Sequence, residues 1–372
     1  MKIPVFELER VQSIYENTVD FNLTESGFHP LTVSELLTPE QIEELTGTVL
    51  GYGQTNGSIL LRERISALYQ GQRVDNVLVT NGSAEANFVA CHSLLQAGDE
   101  VVMMVPNYMQ IWGIVEEMGA IPKAFHLREE NGWAPDLEEL RTLVSDKTRM
   151  IVVCNPNNPT GYTLTGEEMH EIVRIADSVD AWVYSDEVYR GAELDGVEIA
   201  SFMGKYDKAM VNGGLSKAYA LPGLRLGWLA GPEATIVDSW AYHDYTSITA
   251  GILSNRIAEI ALLPEVRSKI LERNRSMLRH NLEIIVDWVN AYGDIFHFVP
   301  PKAGGMAFMR YDLDINSTEL SDWLRTTQSV FILAGDCYGM DHYFRVGIGA
   351  EERSLVAGLS RVRDALKERF GV

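Results

Sequence analysis

The chain has 372 residues, enough to bury a large core and to divide into two domains. Its apolar fraction of 46% and charged fraction of 22% are those of a globular protein in water. A net charge of −21 opposes binding to nucleic acid or to an anionic membrane surface, and it leaves the sign of any small substrate open. Acids in Met1–Arg10 interrupt what a signal peptide would keep apolar, and no apolar run reaches membrane-spanning length. Cys91, Cys154 and Cys337 have neither disulfide nor metal-ligand spacing, which fits a reducing cytosol. The expectation is a cytoplasmic protein with no metal ligands.

From about residue 76 to 230, short apolar runs alternate with amphipathic stretches. Val77 to Thr80 reads as a strand followed by a helix through Leu95; Glu100 to Val105 is a strand and Tyr108 to Met118 a helix. Met150 to Cys154 is the next strand and Glu167 to Ala176 the next helix, with further strands at Ala181 to Ser185 and Ala209 to Val211. This alternation predicts an α/β large domain, a mostly parallel sheet with crossover helices on both faces. After Gly231-Pro232 the chain is helical to about Tyr292, interrupted near Pro264. Shorter strands then mix with helices at Ser317 to Arg325 and Glu351 to Phe370, the pattern of a smaller α+β domain. The division predicted is an N-terminal segment (1–45) joining the small domain, a large domain (46–270) and a small C-terminal domain (271–372).

In open parallel sheets, ligands sit beyond the carboxyl ends of the strands. Five chemistry-bearing clusters fall there: Gly82-Ser83-Ala84, Pro106-Asn107-Tyr108, Asn155 to Gly161, Asp186 with Tyr189, and Lys217. The first is either a simple N-cap by Ser83 or a turn whose free amides and helix dipole bind a phosphate. Asn158 stands in a rigid Pro-bounded turn, and Asp186 follows a buried strand where it can pair with a protonated ring nitrogen. Lys217 lies among small residues in Gly214-Leu215-Ser216-Lys217-Ala218-Tyr219, eight positions before Arg225. An amine that can condense with an aldehyde, beside a guanidinium that can hold a phosphate, points to pyridoxal 5′-phosphate. Near the C-terminus, Arg345 sits between apolar neighbours, as a bidentate carboxylate clamp or a buried structural pair would.

In order and spacing these motifs resemble the class I/II aminotransferases of fold type I, over nearly the whole chain. The stretch Gly214 to Gly227 fits that family's lysine signature. The resemblance implies an aminotransferase moving an amino group between an α-amino acid and a 2-oxo acid. It implies that Lys217 forms a Schiff base with pyridoxal phosphate and that Arg225, Gly82, Ser83 and Ala84 hold the phosphate. Tyr108 would stack on the ring, Asn158 and Tyr189 would hold its hydroxyl, Asp186 its nitrogen, and Arg345 the substrate carboxylate. Tyr52, in Tyr52-Gly53-Gln54-Thr55-Asn56-Gly57, is similar to the tyrosine donated across a homodimer to the neighbour's phosphate. Departures from the family pattern fall at Gly214, where a serine is common, at Asn22 to Pro30, and at Ala334-Gly335. Ser26-Gly27-Phe28-His29 taken with Ser216 to Tyr219 also resembles capreomycidine synthase-like enzymes, so a lyase or cyclase on the same scaffold is the alternative. Phe28, His29, Met109, Trp112, Tyr245 and Ser247 are side-chain pocket candidates by the same analogy.

Overall fold

The structure, a computed structural model, describes residues 3–293 and 295–371. Its centre is an eight-stranded sheet. The strands run in the order Val77–Thr80, Gly227–Ala230, Ala209–Gly214, Trp182–Asp186, Thr148–Cys154, Glu100–Val105, Ile121–Arg128, Ala134–Pro135. The middle strands are nearly continuous apolar runs because both faces are covered. Alternation along each strand divides its side chains between two cores. Val79, Val102, Met104, Ile151 and Val153 enter one, and Leu78, Val101, Met103, Met150 and Val152 the other.

Pairing is parallel across the middle of the sheet and antiparallel at two places. Ala134–Pro135 closes one edge antiparallel to its neighbour. Gly227–Ala230, which carries no strand signal in the sequence reading, runs antiparallel between Val77–Thr80 and Ala209–Gly214. That one reversed strand leaves Val77–Thr80 pointing the same way as the parallel set. All five predicted clusters therefore lie along one edge. Register places Gly227 opposite both Thr80 and Gly214, where a Cβ would stand 2.5 Å from the Gly82 carbonyl carbon and the Ser83 nitrogen. Only glycine fits there, since the strand and the turn share the space.

A second, antiparallel sheet has the order Phe296–Phe298, Met306–Tyr311, Tyr343–Gly347, Leu333–Ala334. Val330–Phe331, outside that sheet, pairs in parallel with Phe21–Asn22, and the N-terminal segment and the C-terminal third share a core. One helix, Pro264–Asn290, runs unbroken through position 270. Its break from the preceding helix, Ile252–Ala261, falls where the sequence reading places it.

The segment from Glu25 to Phe28 is threaded between the two sheets through glycines. A Cβ on Gly305 would lie 2.6 Å from the Gly27 carbonyl oxygen, and Cβ atoms on Gly347 and Gly349 would overlap the carbonyls of Glu25 and Gly27. The other face of Gly27 meets the Ser216 carbonyl and the Lys217 side chain. Ahead of it, Glu7–Tyr15 forms a helix that the sequence reading does not anticipate, burying Leu8 and Gln12. No helix among the described residues is long and apolar enough to cross a membrane.

Candidate active site

The carboxyl edge of the large sheet, the N-terminal helix and the strand Tyr343–Gly347 enclose a cavity of about 430 Å³. Nine of the residues singled out from the sequence line it: Ser83, Ala84, Tyr108, Asn158, Asp186, Tyr189, Lys217, Arg225 and Arg345. Gly82 lies directly against it, at φ +80°, with its missing Cβ replaced by the Arg225 guanidinium. Tyr52 is not there. Its side chain stands in solvent, 84% exposed. Of the side-chain pocket candidates, Phe28 is in the core, Met109 and Trp112 line a neighbouring groove, and Tyr245 is 92% exposed. His29 is exposed, and the Ser247 N–H donates to the Glu85 carboxylate.

At one end the backbone is prepared for an anion. Asn81 N–H donates to the Glu85 carboxylate at 2.6 Å, and Thr80 Oγ1 donates to the Gly82 carbonyl at 2.9 Å, which fixes the turn. The helix Ser83–Leu94 then begins on Gly82, which has no side chain to cap it. The capping role open to Ser83 is not taken: Ser83 is the first helical residue. The leading amides and the positive helix end face the cavity beside Arg225, whose Nη1 donates to Ser216 Oγ at 3.2 Å.

At the sheet's centre, Asp186 ends its strand with 8% exposure. Burial pushes its carboxyl up to about 6, against the lowering effects of the Val188 N–H, Asn212 and Lys217. A carboxylate so placed favours a cationic N–H partner. Lys217 reaches in from the loop after Ala209–Gly214. Burial lowers its amine below the usual lysine range; Arg345 and Arg225 push the same way, while Glu25 and Glu9 oppose them. A neutral lysine amine is a nucleophile and a base. Tyr108 is held edge-on by Phe6, with ring centroids 4.8 Å apart, and by its hydroxyl, which donates to Glu9 at 2.6 Å.

Arg345 is 1% exposed. Its Nη1 donates to Asn158 Oδ1 at 2.9 Å and to the Tyr338 hydroxyl at 2.5 Å, and its Nη2 donates to the Thr24 carbonyl. Its Nε has no hydrogen-bond partner, and among the described residues no carboxylate lies within ion-pair distance. With its oxygen taken by Arg345 and Tyr338, Asn158 keeps its amide donors for the cavity. The Tyr189 hydroxyl donates to Ser26 Oγ at 2.8 Å.

These groups match pyridoxal phosphate piece by piece. Amides and a guanidinium suit the phosphate, and a buried carboxyl without a fixed cation suits the pyridine nitrogen. An asparagine amide and a tyrosine hydroxyl suit the ring oxygen, and a lysine of lowered pKa suits the aldehyde. Sequence reasoning misses Gln12, Thr24 and Tyr338, and it notes Ser26 only for its likeness to relatives. These four hold Arg345 and Tyr189 in place. No spacing signal marks that role, because they meet the site through tertiary contacts alone.

Raising the Asp186 carboxyl costs folding stability at neutral pH. The unfolded chain releases this proton near 3.8 and the folded one near 6, so stability is lost as pH rises through that window. Asp186→Asn keeps the acceptor for Val188 N–H and removes the buried charge. The ligand-free variant should gain about 3 kcal/mol over wild type at pH 8. The gain should shrink as pH falls from 6 toward 3.8. Urea unfolding at pH 8 and pH 5 measures it; no gain at pH 8 contradicts the assignment.

Residues 20–361 match the family described as aminotransferase class I and II. The chain is 30% identical to capreomycidine synthase of Streptomyces vinaceus over 93% of this chain and 89% of that protein. It is 28% identical to an aspartate aminotransferase of Pyrococcus horikoshii over 89% of this chain and 88% of that one. A PLP-dependent aminotransferase structure from Streptococcus suis superposes with a TM-score of 0.93 at 34% identity, covering 99% of each chain. The chain belongs to the class I and II aminotransferase family, whose enzymes work with pyridoxal phosphate.

Proposed function

We propose that this protein is an aminotransferase that takes the amino group of an α-amino acid, using Lys217 as the residue that binds the cofactor aldehyde and moves the proton. The observation carrying the reading is the gathering of Lys217, Asp186, Asn158, Tyr189, Arg225 and Arg345 around one cavity at the sheet's carboxyl edge. When bound, the cofactor supplies an electron sink for the charge left at the substrate α-carbon. The Arg345 guanidinium, which has no carboxylate partner among the described residues, takes the substrate carboxylate and so orients the α-carbon toward Lys217. The Lys217 amine, its hold on a proton weakened by burial, removes the α-proton at Nζ and later returns it. Asp186 keeps the ring nitrogen protonated. Asn158 and Tyr189 hold the ring oxygen, and Tyr108 stacks on the ring face. The Ser83 and Ala84 amides, with Arg225, hold the phosphate.

A lyase or cyclase reaction is the second reading, supported by the likeness to capreomycidine synthase. Both readings use the same residues up to loss of the α-proton. They part on whether the substrate carries a leaving group.

The functional unit on this reading is a homodimer in which Tyr52 reaches the neighbour's phosphate. It is supported by exposed large apolar side chains: Val49, Leu50, Tyr52 and Tyr245 are 85%, 77%, 84% and 92% exposed. The division at residues 45 and 270 belongs to the same proposal, with a large domain holding the phosphate end and a small one holding Arg345. Sedimentation should give twice the chain mass of 41.6 kDa, and a single-chain mass overturns the shared site.

Mixing the loaded protein with single amino acids in the absence of a 2-oxo acid tests the reaction. The yellow absorbance should bleach with one 2-oxo acid formed per site, then stop, and Lys217→Ala should lower that rate by at least about a thousandfold. Continued turnover with release of ammonia or a cyclised product replaces the aminotransferase reading with the lyase one.

A further inference from the structure

The N-terminal helix turns an unexpected face toward the cavity. Glu9, Gln12, Ser13 and Glu16 recur at the i, i+3, i+4, i+7 spacing of one helical stripe, and all four line the cavity wall. This stripe is polar and carries two carboxylates, with Glu9 and Ser13 exposed and Glu16 half-buried, and Glu25, from the glycine-clamped segment, adds a third on the same wall.

We propose that Glu9, Glu16 and Glu25 form the subsite for a cationic side chain, guanidinium or ammonium, on the donor amino acid. The inference rests on the proposed function and specifies its substrate class.

The charges in the cavity support it. Three cations line the wall, Lys217, Arg225 and Arg345, and each has a task in the proposed reaction. Lys217 is committed to the aldehyde, Arg225 to the phosphate and Arg345 to the substrate carboxylate. Asp186 is matched by the ring nitrogen. The three glutamates then have no cation among the cavity-lining residues. Lys217 stands 3.9 Å from Glu25, and on the proposed reading its amine is committed in turn to the aldehyde and to the α-proton. Glu16 is half-buried, and its carboxyl is raised by burial and by the repulsion of Glu25 and Glu9. Glu9 and Glu25 stand at the solvent-facing rim, and Glu9 accepts from the Tyr108 hydroxyl at 2.6 Å.

A ligand is indicated independently by Arg345. This guanidinium is 1% exposed, lines the same cavity and has no carboxylate within ion-pair distance among the described residues, so the site is built for a molecule carrying a carboxylate. The two ends of the site are joined through the helix. Gln12 Nε2 donates to Thr24 Oγ1 at 2.9 Å and contacts the Thr24 carbonyl at 3.4 Å, the same carbonyl that accepts from Arg345. The acidic stripe is therefore held in fixed relation to the carboxylate clamp. A substrate whose carboxylate meets Arg345 and whose α-amine meets the aldehyde beside Lys217 extends its side chain toward Glu25 and the stripe. A neutral or acidic side chain there leaves three like charges uncompensated, which selects against it.

Calorimetry on the loaded enzyme tests this without turnover. The ligands are δ-guanidinovalerate and its uncharged isostere δ-ureidovalerate, which carry the carboxylate and the side-chain terminus but no α-amine. The guanidino compound should bind about tenfold more tightly, as a hydrogen bond to a charged group warrants. Glu16→Gln should collapse that ratio toward one, and Glu16→Asp should retain part of it. In turnover, kcat/KM for arginine should exceed that for citrulline by a similar factor. Equal affinities for the two valerates, or a ratio unchanged by Glu16→Gln, overturn the inference whether or not the protein transaminates. Failure of every amino acid to bleach the cofactor overturns the aminotransferase reading instead, and it is read separately from the binding ratio.

Discussion

A buried guanidinium without a carboxylate is the constraint on which this structure turns. Placing Arg345 in the interior costs several kcal/mol unless its charge is met. Asn158, Tyr338 and the Thr24 carbonyl meet it in part, each from a different region of the chain. One comes from the turn after the strand Thr148–Cys154, one from the short helical turn Gly335–Tyr338, and one from the segment after Phe21–Asn22. The arginine thus ties the two sheets and the N-terminal segment to one point. No carboxylate among the described residues pairs with it, which keeps the site short of one anion. That deficit is a binding energy reserved for a carboxylate.

The rest of the cavity follows the same logic of incomplete satisfaction. The helix Ser83–Leu94 starts on a residue that cannot cap it, and its amides await an anion. Asp186 is buried until its carboxyl titrates near 6, which leaves it wanting a proton-bearing partner. Lys217 is desolvated enough to weaken its grip on a proton, which readies it for an aldehyde. Each group is unfavourable for the protein alone, and on the proposed reading each is answered by one portion of a single phosphorylated, aldehyde-bearing aromatic ring. Folded stability is given up locally so that binding can recover it.

Much of this is legible in the sequence because the fold class dictates where ligands go. Apolar runs alternating with helical stretches locate the strand ends, and Lys217, Asp186, Asn158 and Ser83 stand just past them. The reversed strand Gly227–Ala230 is not legible, since four residues opening on glycine give no periodic signal. Nor does the sequence show that Ser83 leaves the cap to Gly82, which depends on a backbone φ of +80°. The N-terminal helix escapes for a different reason. Its apolar stripe, Leu8, Val11 and Tyr15, lies in a nine-residue segment set among acids, too short a run to mark a helix. Thr24, Ser26 and Tyr338 reach the site only through folding at a distance, and Tyr52 remains on the surface of the single chain.

The central claim is that Lys217 is the residue around which this cavity is built. Borohydride reduction of the loaded protein, followed by peptide mass mapping, tests it most directly. The account predicts one phosphopyridoxyl group per chain, on the peptide containing Lys217. A label on another lysine, such as the exposed Lys205, or no label at all, would contradict it.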